Sequence, residues 1–432
     1  MKAYPEYKAS GIEWLGDIPS HWNTVKGAWC CTFQYGFPAD SRFFSNERKG
    51  IPLIRIRDMF SHDTEVYYNN SDFTTEYIVD NGDILIGMDG DFNVSRWKGG
   101  ISLLNQRVCK FEKSDSLIKG FLFYELPIIL KEINNIKYST TVKHLSAQDL
   151  SEMRLSVPPV SEQEAIAAYL DDVTGKIDAL ISEKRKQVED IKAYRTSLIT
   201  ETVTRGLNPD APLRPSGINW LGDIPQHWKI INLKYLINEP LMYGANESPE
   251  IETNLSNPRY IRITDIDENG CLKKETFRTL QLEKAQPYVL KYGDILFARS
   301  GATVGKTYRF TEDYPAAFAG YLIKASCGPK IDSLFLLYYT NTQCYNNWKN
   351  SIFDKSTIQN IAADKYNNLP VVVPPLAEQQ AIADFLDAKT AKIDELISEL
   401  TKQIDELAEY KQAVITEAVT GKVDVRDYKP SN

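Results

Sequence analysis

The sequence predicts an α/β protein made of two α+β heads in tandem, separated and followed by long helices that pair as an antiparallel coiled coil. Three observations predict this. Ser10-Gly11-Ile12-Glu13-Trp14-Leu15-Gly16-Asp17-Ile18-Pro19-Ser20-His21-Trp22 returns as Ser216-Gly217-Ile218-Asn219-Trp220-Leu221-Gly222-Asp223-Ile224-Pro225-Gln226-His227-Trp228. Behind each copy come short strand-like runs, and behind those a Pro-Pro pair opens a long stretch with apolar residues every three or four positions. A repeat this long exceeds the roughly 20–50 residues of solenoid and propeller units, so it marks a duplicated domain.

In the first head, Leu53-Ile54-Arg55-Ile56-Arg57-Asp58 matches Tyr260-Ile261-Arg262-Ile263-Thr264-Asp265 in the second, and alternation of apolar and charged positions predicts a strand in each. Gly82-Asp83-Ile84-Leu85-Ile86 likewise matches Gly293-Asp294-Ile295-Leu296-Phe297. Pro158-Pro159 and Pro374-Pro375 set the helix starts, because a residue before proline is pushed out of the helical region. Ser161 with Glu164 predicts a capping box for the first helix, whereas Ala377 and Gln380 give the second a weaker start. The predicted seams are Ile166, Leu170, Val173, Ile177, Leu180, Lys184, Val188 and Ile191, then Ile382, Leu386, Lys389, Ile393, Leu396, Leu400, Ile404 and Leu407. Each helix is polar at Lys184 or Lys389 where its counterpart is apolar, a pattern that would set register or simply face solvent. The expected divisions are 1–160, 161–205, 206–376, 377–420 and a polar tail at 421–432.

The 432 residues carry 43% hydrophobic and 25% charged side chains, as in ordinary globular proteins. With no long apolar run and no apolar leader after Met1-Lys2-Ala3, a cytoplasmic protein without membrane contact is expected. Six cysteines without a CxxC pair and four histidines suggest neither a disulfide framework nor a metal site, and no cofactor is implied. The formal charge is −8, but residues 1–160 hold 18 basic and 20 acidic groups and residues 206–376 hold 18 and 17. Most of the acidic excess therefore lies in the helices, and nearly neutral heads permit a local basic face.

Gly301-Ala302-Thr303-Val304-Gly305-Lys306-Thr307 is the motif closest to chemistry. It has three residues before Gly-Lys-Thr where a phosphate-binding loop needs four, and Tyr308 to Pro315 does not read as the required helix. A glycine-rich turn between strands is the better reading. No Gly-x-Ser-x-Gly or His-Glu-x-x-His pattern occurs, so the chain is expected to be non-catalytic by itself. Hydroxyls, amides and lysines cluster at Ser139-Thr140-Thr141-Val142-Lys143-His144 and Lys355-Ser356-Thr357-Ile358-Gln359-Asn360. Such groups contact phosphates and base edges, although capped surface helices use them equally.

The Ile-Pro-x-His-Trp openings, the Gly-Asp-Ile-Leu runs, and the Pro-Pro-x-x-Glu-Gln helix entries (Glu162-Gln163, Glu378-Gln379) together resemble the specificity subunit of type I restriction-modification enzymes. The resemblance covers essentially the whole chain. It implies that 1–160 and 206–376 are target recognition domains, each reading one half of a split, asymmetric sequence in double-stranded DNA. It also implies that the helices fix the spacing and dock DNA adenine methyltransferase subunits, two in number, through which restriction and translocase subunits join. The DNA-facing residues it implies are Tyr35, Arg96, Lys98, Thr140, Thr141, Lys143 and His144 in the first head. In the second they are Tyr243, Arg299, Ser300, Thr303, Lys306, Ser356, Thr357 and Gln359. Asp89-Gly90-Asp91 against Ser300-Gly301-Ala302 departs from strict equivalence and fits heads that read different bases.

Helices of about 35 to 40 residues, on the order of 55 Å long, could place two heads about one duplex turn apart, near 34 Å. Unlike heads imply a non-palindromic target. The alternative is a non-enzymatic two-headed scaffold binding peptide or glycan, which the gene neighbourhood would distinguish. A nucleotide-binding enzyme comes third.

Overall fold

The computed structural model describes residues 2–137, 143–250, 254–267, 270–301, 303–353 and 360–429. They form two compact units: Met1–Lys184 with Lys402–Asn432, and Arg185–Thr401. Each unit is a head plus part of both long helices, Val160–Arg205 and Leu376–Val419. Among the described residues no helix is long and apolar enough to cross a membrane.

The two heads share a plan. In the first, a four-stranded antiparallel sheet runs in the order Val94–Arg96, Ile84–Gly87, Val108–Lys113, Thr32–Tyr35. In the second the matching order is Thr307–Arg309, Ile295–Ala298, Leu322–Ala325, Met242–Tyr243. A parallel pair lies beside each sheet, Leu103 opposite Leu53 in one head and Tyr260 opposite Ala317 in the other. A two-stranded ribbon leads into each long helix, pairing Asn23–Lys26 with Arg154–Val157 and Lys229–Asn232 with Pro370–Val373.

The strands expected over 53–58 and 260–265 stop halfway. Strands Ile51–Ile54 and Arg259–Ile261 give way to single 3-10 turns, Ile56–Asp58 and Ile263–Asp265. The reason is a local ion pair: Arg55 Nε donates to Asp58 at 2.7 Å and Arg262 Nη2 to Asp265 at 2.7 Å, while each carboxylate also accepts the arginine's own backbone N–H. A side chain that bonds the backbone three residues away favours a turn over a ladder.

The helices have 46 and 44 residues, and each begins directly after its second proline. The N–H groups of Glu162 and Gln163 both bond the Pro159 carbonyl, and those of Glu378 and Gln379 bond that of Pro375. Ser161 therefore lies exposed inside the first turn, and the expected capping box does not form. The seams also shift by one position in both copies. Leu180 and Leu396 are 47% and 48% exposed, whereas Ile181 is buried and Ile397 half-buried. From Ile177 or Ile393 the next inward position is four residues on, as a 3.6-residue turn requires.

In the first unit the helices run antiparallel: Lys411 donates to Asp178 at 2.7 Å and Lys184 to Gln403 at 2.6 Å. In the second, Arg195 Nε donates to Asp394 at 2.9 Å. Lys184 is thus bonded across the seam, while Lys389 faces solvent over the Phe385 ring. Residues 421–429, expected as a polar tail, pack into the first unit. Asp424 N–H bonds the Lys2 carbonyl, Val425 is 2% exposed, and the Tyr428 hydroxyl donates to Asp172. One buried apolar side chain and these bonds hold the segment in place.

Candidate functional site

The copied phrases build an anchor. In the first unit Trp22 is fully buried, its Nε1 donates to Glu162 at 3.0 Å, and His21 Nε2 lies 2.8 Å from the same carboxylate, which also accepts the Tyr4 hydroxyl. Gln163 accepts from Ile118 N–H at 2.9 Å and donates to the Ser116 and Pro158 carbonyls at 2.7 and 2.9 Å. In the second unit His227 lies 2.9 Å from Glu378, and Gln379 accepts from Asp332 N–H and donates to the Lys330 and Pro374 carbonyls. A left-handed glycine closes the other helix beside each anchor: Gly421 (φ 71°) against Pro19, Gly206 (φ 80°) against Trp228. These residues therefore join head to helix, which leaves recognition chemistry to be sought elsewhere.

Away from the anchor, three segments converge on one rim of each head. In the first, Leu145 N–H bonds the Met88 carbonyl at 2.7 Å, Gly90 N–H bonds that of Lys143 at 3.1 Å, and Met88 N–H bonds that of Arg107 at 2.9 Å. The loop after the Gly-Asp-Ile-Leu strand, the turn at 105–107 between the two sheets and the segment 143–145 are thereby stitched together. The second head repeats the stitching: Ile361 N–H to the Arg299 carbonyl at 2.8 Å, Arg299 N–H to that of Tyr321 at 3.0 Å, and Ser300 bridging Asn360. Tyr-Gly dipeptides pack beneath both rims for a steric reason. A Cβ on Gly36 would sit 1.9 Å from the Asn105 carbonyl oxygen and one on Gly244 2.3 Å from that of Phe318.

The rims carry different chemistry. Asp89 in the first head faces two nitrogen groups, His144 Nδ1 at 2.7 Å and the Arg107 guanidinium Nη1 at 3.4 Å, and Asp91 lies 4.0 Å from Lys143. In the second, the Arg299 guanidinium sits 4.7 Å above the Tyr243 ring and its Nε is 3.5 Å from Asn360 Oδ1, beside exposed Tyr321. The Tyr243 hydroxyl accepts the Ala363 N–H at 2.9 Å.

Of the residues proposed from sequence, Lys143, His144, Tyr243, Arg299 and Ser300 meet on these rims. Thr303 is half-exposed on the adjoining turn, where its carbonyl accepts the Lys306 N–H; Lys306 Nζ donates to the Asp267 carbonyl, so that the glycine-rich segment is a strand-to-strand connection. Tyr35 is half-buried in its sheet, and burial pushes its hydroxyl up to about 12. Arg96 and Lys98 stand apart, lining a cavity of about 540 Å³ at the foot of the first head with Asp171, Asp178 and Lys411. There Arg96 lies 3.4 Å from Asp171 and over the Phe123 ring at 4.6 Å. Thr140, Thr141, Ser356, Thr357 and Gln359 lie outside the described residues. The rims also hold Arg107 and Tyr321, which were not among the residues expected from sequence. The signal was present: each lies on a tight turn between apolar strands of two different sheets, Leu103-Leu104 and Val108 or Phe318 and Leu322, at matched positions.

A family model described as the type I restriction modification DNA specificity domain matches residues 38–190 and again 236–406. The chain is 28% identical over 423 residues to the type I restriction enzyme EcoBI specificity subunit of Escherichia coli, covering 95% of this chain and 88% of that one. It is 24% identical over 376 residues to the MjaVIII specificity subunit of Methanocaldococcus jannaschii, covering 82% and 81%. In fold it is similar to a chain from a structure on complex assembly and conformational transition of the type I R-M system, with a TM-score of 0.70, 17% identity, and coverage of 94% and 99%.

Proposed function

With two matches that together span most of its length, the chain belongs to the type I restriction-modification DNA specificity family, and on that premise we propose that it is the sequence-recognition subunit of a type I complex. Head one (1–160) reads one half of a bipartite, asymmetric site, and head two (206–376) reads the other. The long helices set the spacing and dock two adenine methyltransferase subunits, through which restriction and translocase subunits join in the cytoplasm. The chain itself supplies no catalytic group. One observation carries this reading: the heads share their anchors and rim stitching but present unlike side chains, Asp89, Arg107 and His144 against Ser300, Tyr321 and Asn360. A common scaffold with different polar groups at matched places suits two readers of different bases.

The test is an exchange of block 23–156 for that of a relative with another target, followed by methylome sequencing. One half-site should change while the other and the spacer remain. A swap that altered both half-sites would sink the two-reader model.

A further inference from the structure

We infer that Arg107 reads a guanine in the major groove and that Asp89 positions it. This rests on the reading of the rims as DNA-facing surfaces, and adds to it a residue and a base. Arg107 is held at both ends of its backbone, its carbonyl by Met88 N–H at 2.9 Å and its N–H by Asn105 Oδ1 at 3.2 Å, while its side chain is 55% exposed. The guanidinium is oriented through Nη1, 3.4 Å from Asp89 Oδ2. Its Nε and Nη2 have no protein partner among the described residues, and these two parallel donors form the edge that fits guanine O6 and N7. Arg42, Arg55 and Arg262, by contrast, have spent that edge on Asp40, Asp58 and Asp265.

Asp89 explains how a carboxylate sits on a surface that meets a polyanion. One of its oxygens faces His144 at 2.7 Å and the other faces Arg107, so its charge is engaged and its role is to hold the fork still. An arginine whose torsions are fixed before binding loses less entropy on pairing. The second head has Tyr321 and Ser300 at the matching places, which confines this guanine reading to the half-site of the first head.

The experiment is methylome sequencing in cells carrying the full chain with its methyltransferase subunit, comparing wild type with Arg107→Ala, Arg107→Lys and Asp89→Asn. In Arg107→Ala, discrimination at one guanine of one half-site should fall about ten- to a hundredfold, with the other half-site unchanged. Arg107→Lys keeps the charge and the turn but not the fork, so it should relax the same position even if the alanine variant folds poorly. Asp89→Asn should relax that position to a smaller degree, an effect that a merely structural role would not confine to one base. Uniform weakening with an unchanged motif would mean a phosphate contact; it would overturn the guanine reading and leave DNA recognition standing. An unchanged motif at unchanged efficiency would overturn it too. A wild-type chain that directs no defined methylation motif would overturn both readings.

Discussion

The two anchors and the two rims are built from the same backbone plan, yet they treat sequence in opposite ways. At the anchors, Gln163 and Gln379 each accept one N–H and donate to two carbonyls, a set that only a carboxamide can satisfy in a buried place. At the rims the stitching is done by backbone groups, so the side chains are free to differ: Arg107 against Tyr321, Asp89 against Ser300. Where side chains carry the fold the copies agree, and where the main chain carries it they diverge. The cores add a middle case. Glu125 is 3% exposed and accepts from Ser156 N–H and Oγ at 2.6 Å, whereas in the second head a buried Tyr339 donates to the Pro370 carbonyl. Two different polar side chains occupy corresponding places in the two interiors.

The largest expected effect strikes both anchors alike. Gln163→Leu leaves one half-buried N–H and two carbonyls without their partner, and at about 1–3 kcal/mol per orphaned group it should cost roughly 4 kcal/mol. Gln379→Leu should do the same to the second unit, and calorimetry on the two variants should show similar losses. A negligible loss in either would break the equivalence of the anchors.

A smaller effect separates the cores. Burial pushes the Glu125 carboxyl up to about 8 from an ordinary 4.5, so the folded chain keeps a proton that the unfolded chain releases. Stability of the first unit should therefore decline as pH rises from about 4.5 to about 8 and level off above, by something on the order of 3 kcal/mol at pH 7. Glu125→Gln, which imitates the protonated acid, should flatten this slope in denaturant titrations across that range. A slope identical to wild type would show that Glu125 is ionised in the folded protein.

The smallest effect distinguishes the anchors from each other. Trp22 Nε1 donates to Glu162, while the buried Trp228 Nε1 has no partner among the described residues. Trp22→Phe should cost about 1–2 kcal/mol more than Trp228→Phe, because only the former loses a bond to a charged group. Equal costs in parallel unfolding curves would mean that the Trp22 bond contributes nothing net.

Much of this was legible in the chain. The repeated phrases, the proline-fixed helix starts and the three-four spacing are local signals, and they located two α+β heads and two long helices. The errors were local rules overruled by a neighbour. Arg55 and Arg262 looked like strand residues until their carboxylates, three positions on, turned the backbone, and Leu180 looked inward until the helix period passed the seam to Ile181. Of the ten candidate residues that are described, Lys143, His144, Tyr243, Arg299 and Ser300 gather on rims, whereas Arg96 and Lys98 lie at the foot of their head.

By itself the sequence determined what depends on near neighbours along the chain: helix and strand periods, punctuation by proline and glycine, and the duplication. Only the tertiary structure decided which distant segments share a surface. Asp89, Arg107 and His144 meet because backbone hydrogen bonds join a loop, an inter-sheet turn and a third segment, and no spacing in the sequence encodes those bonds.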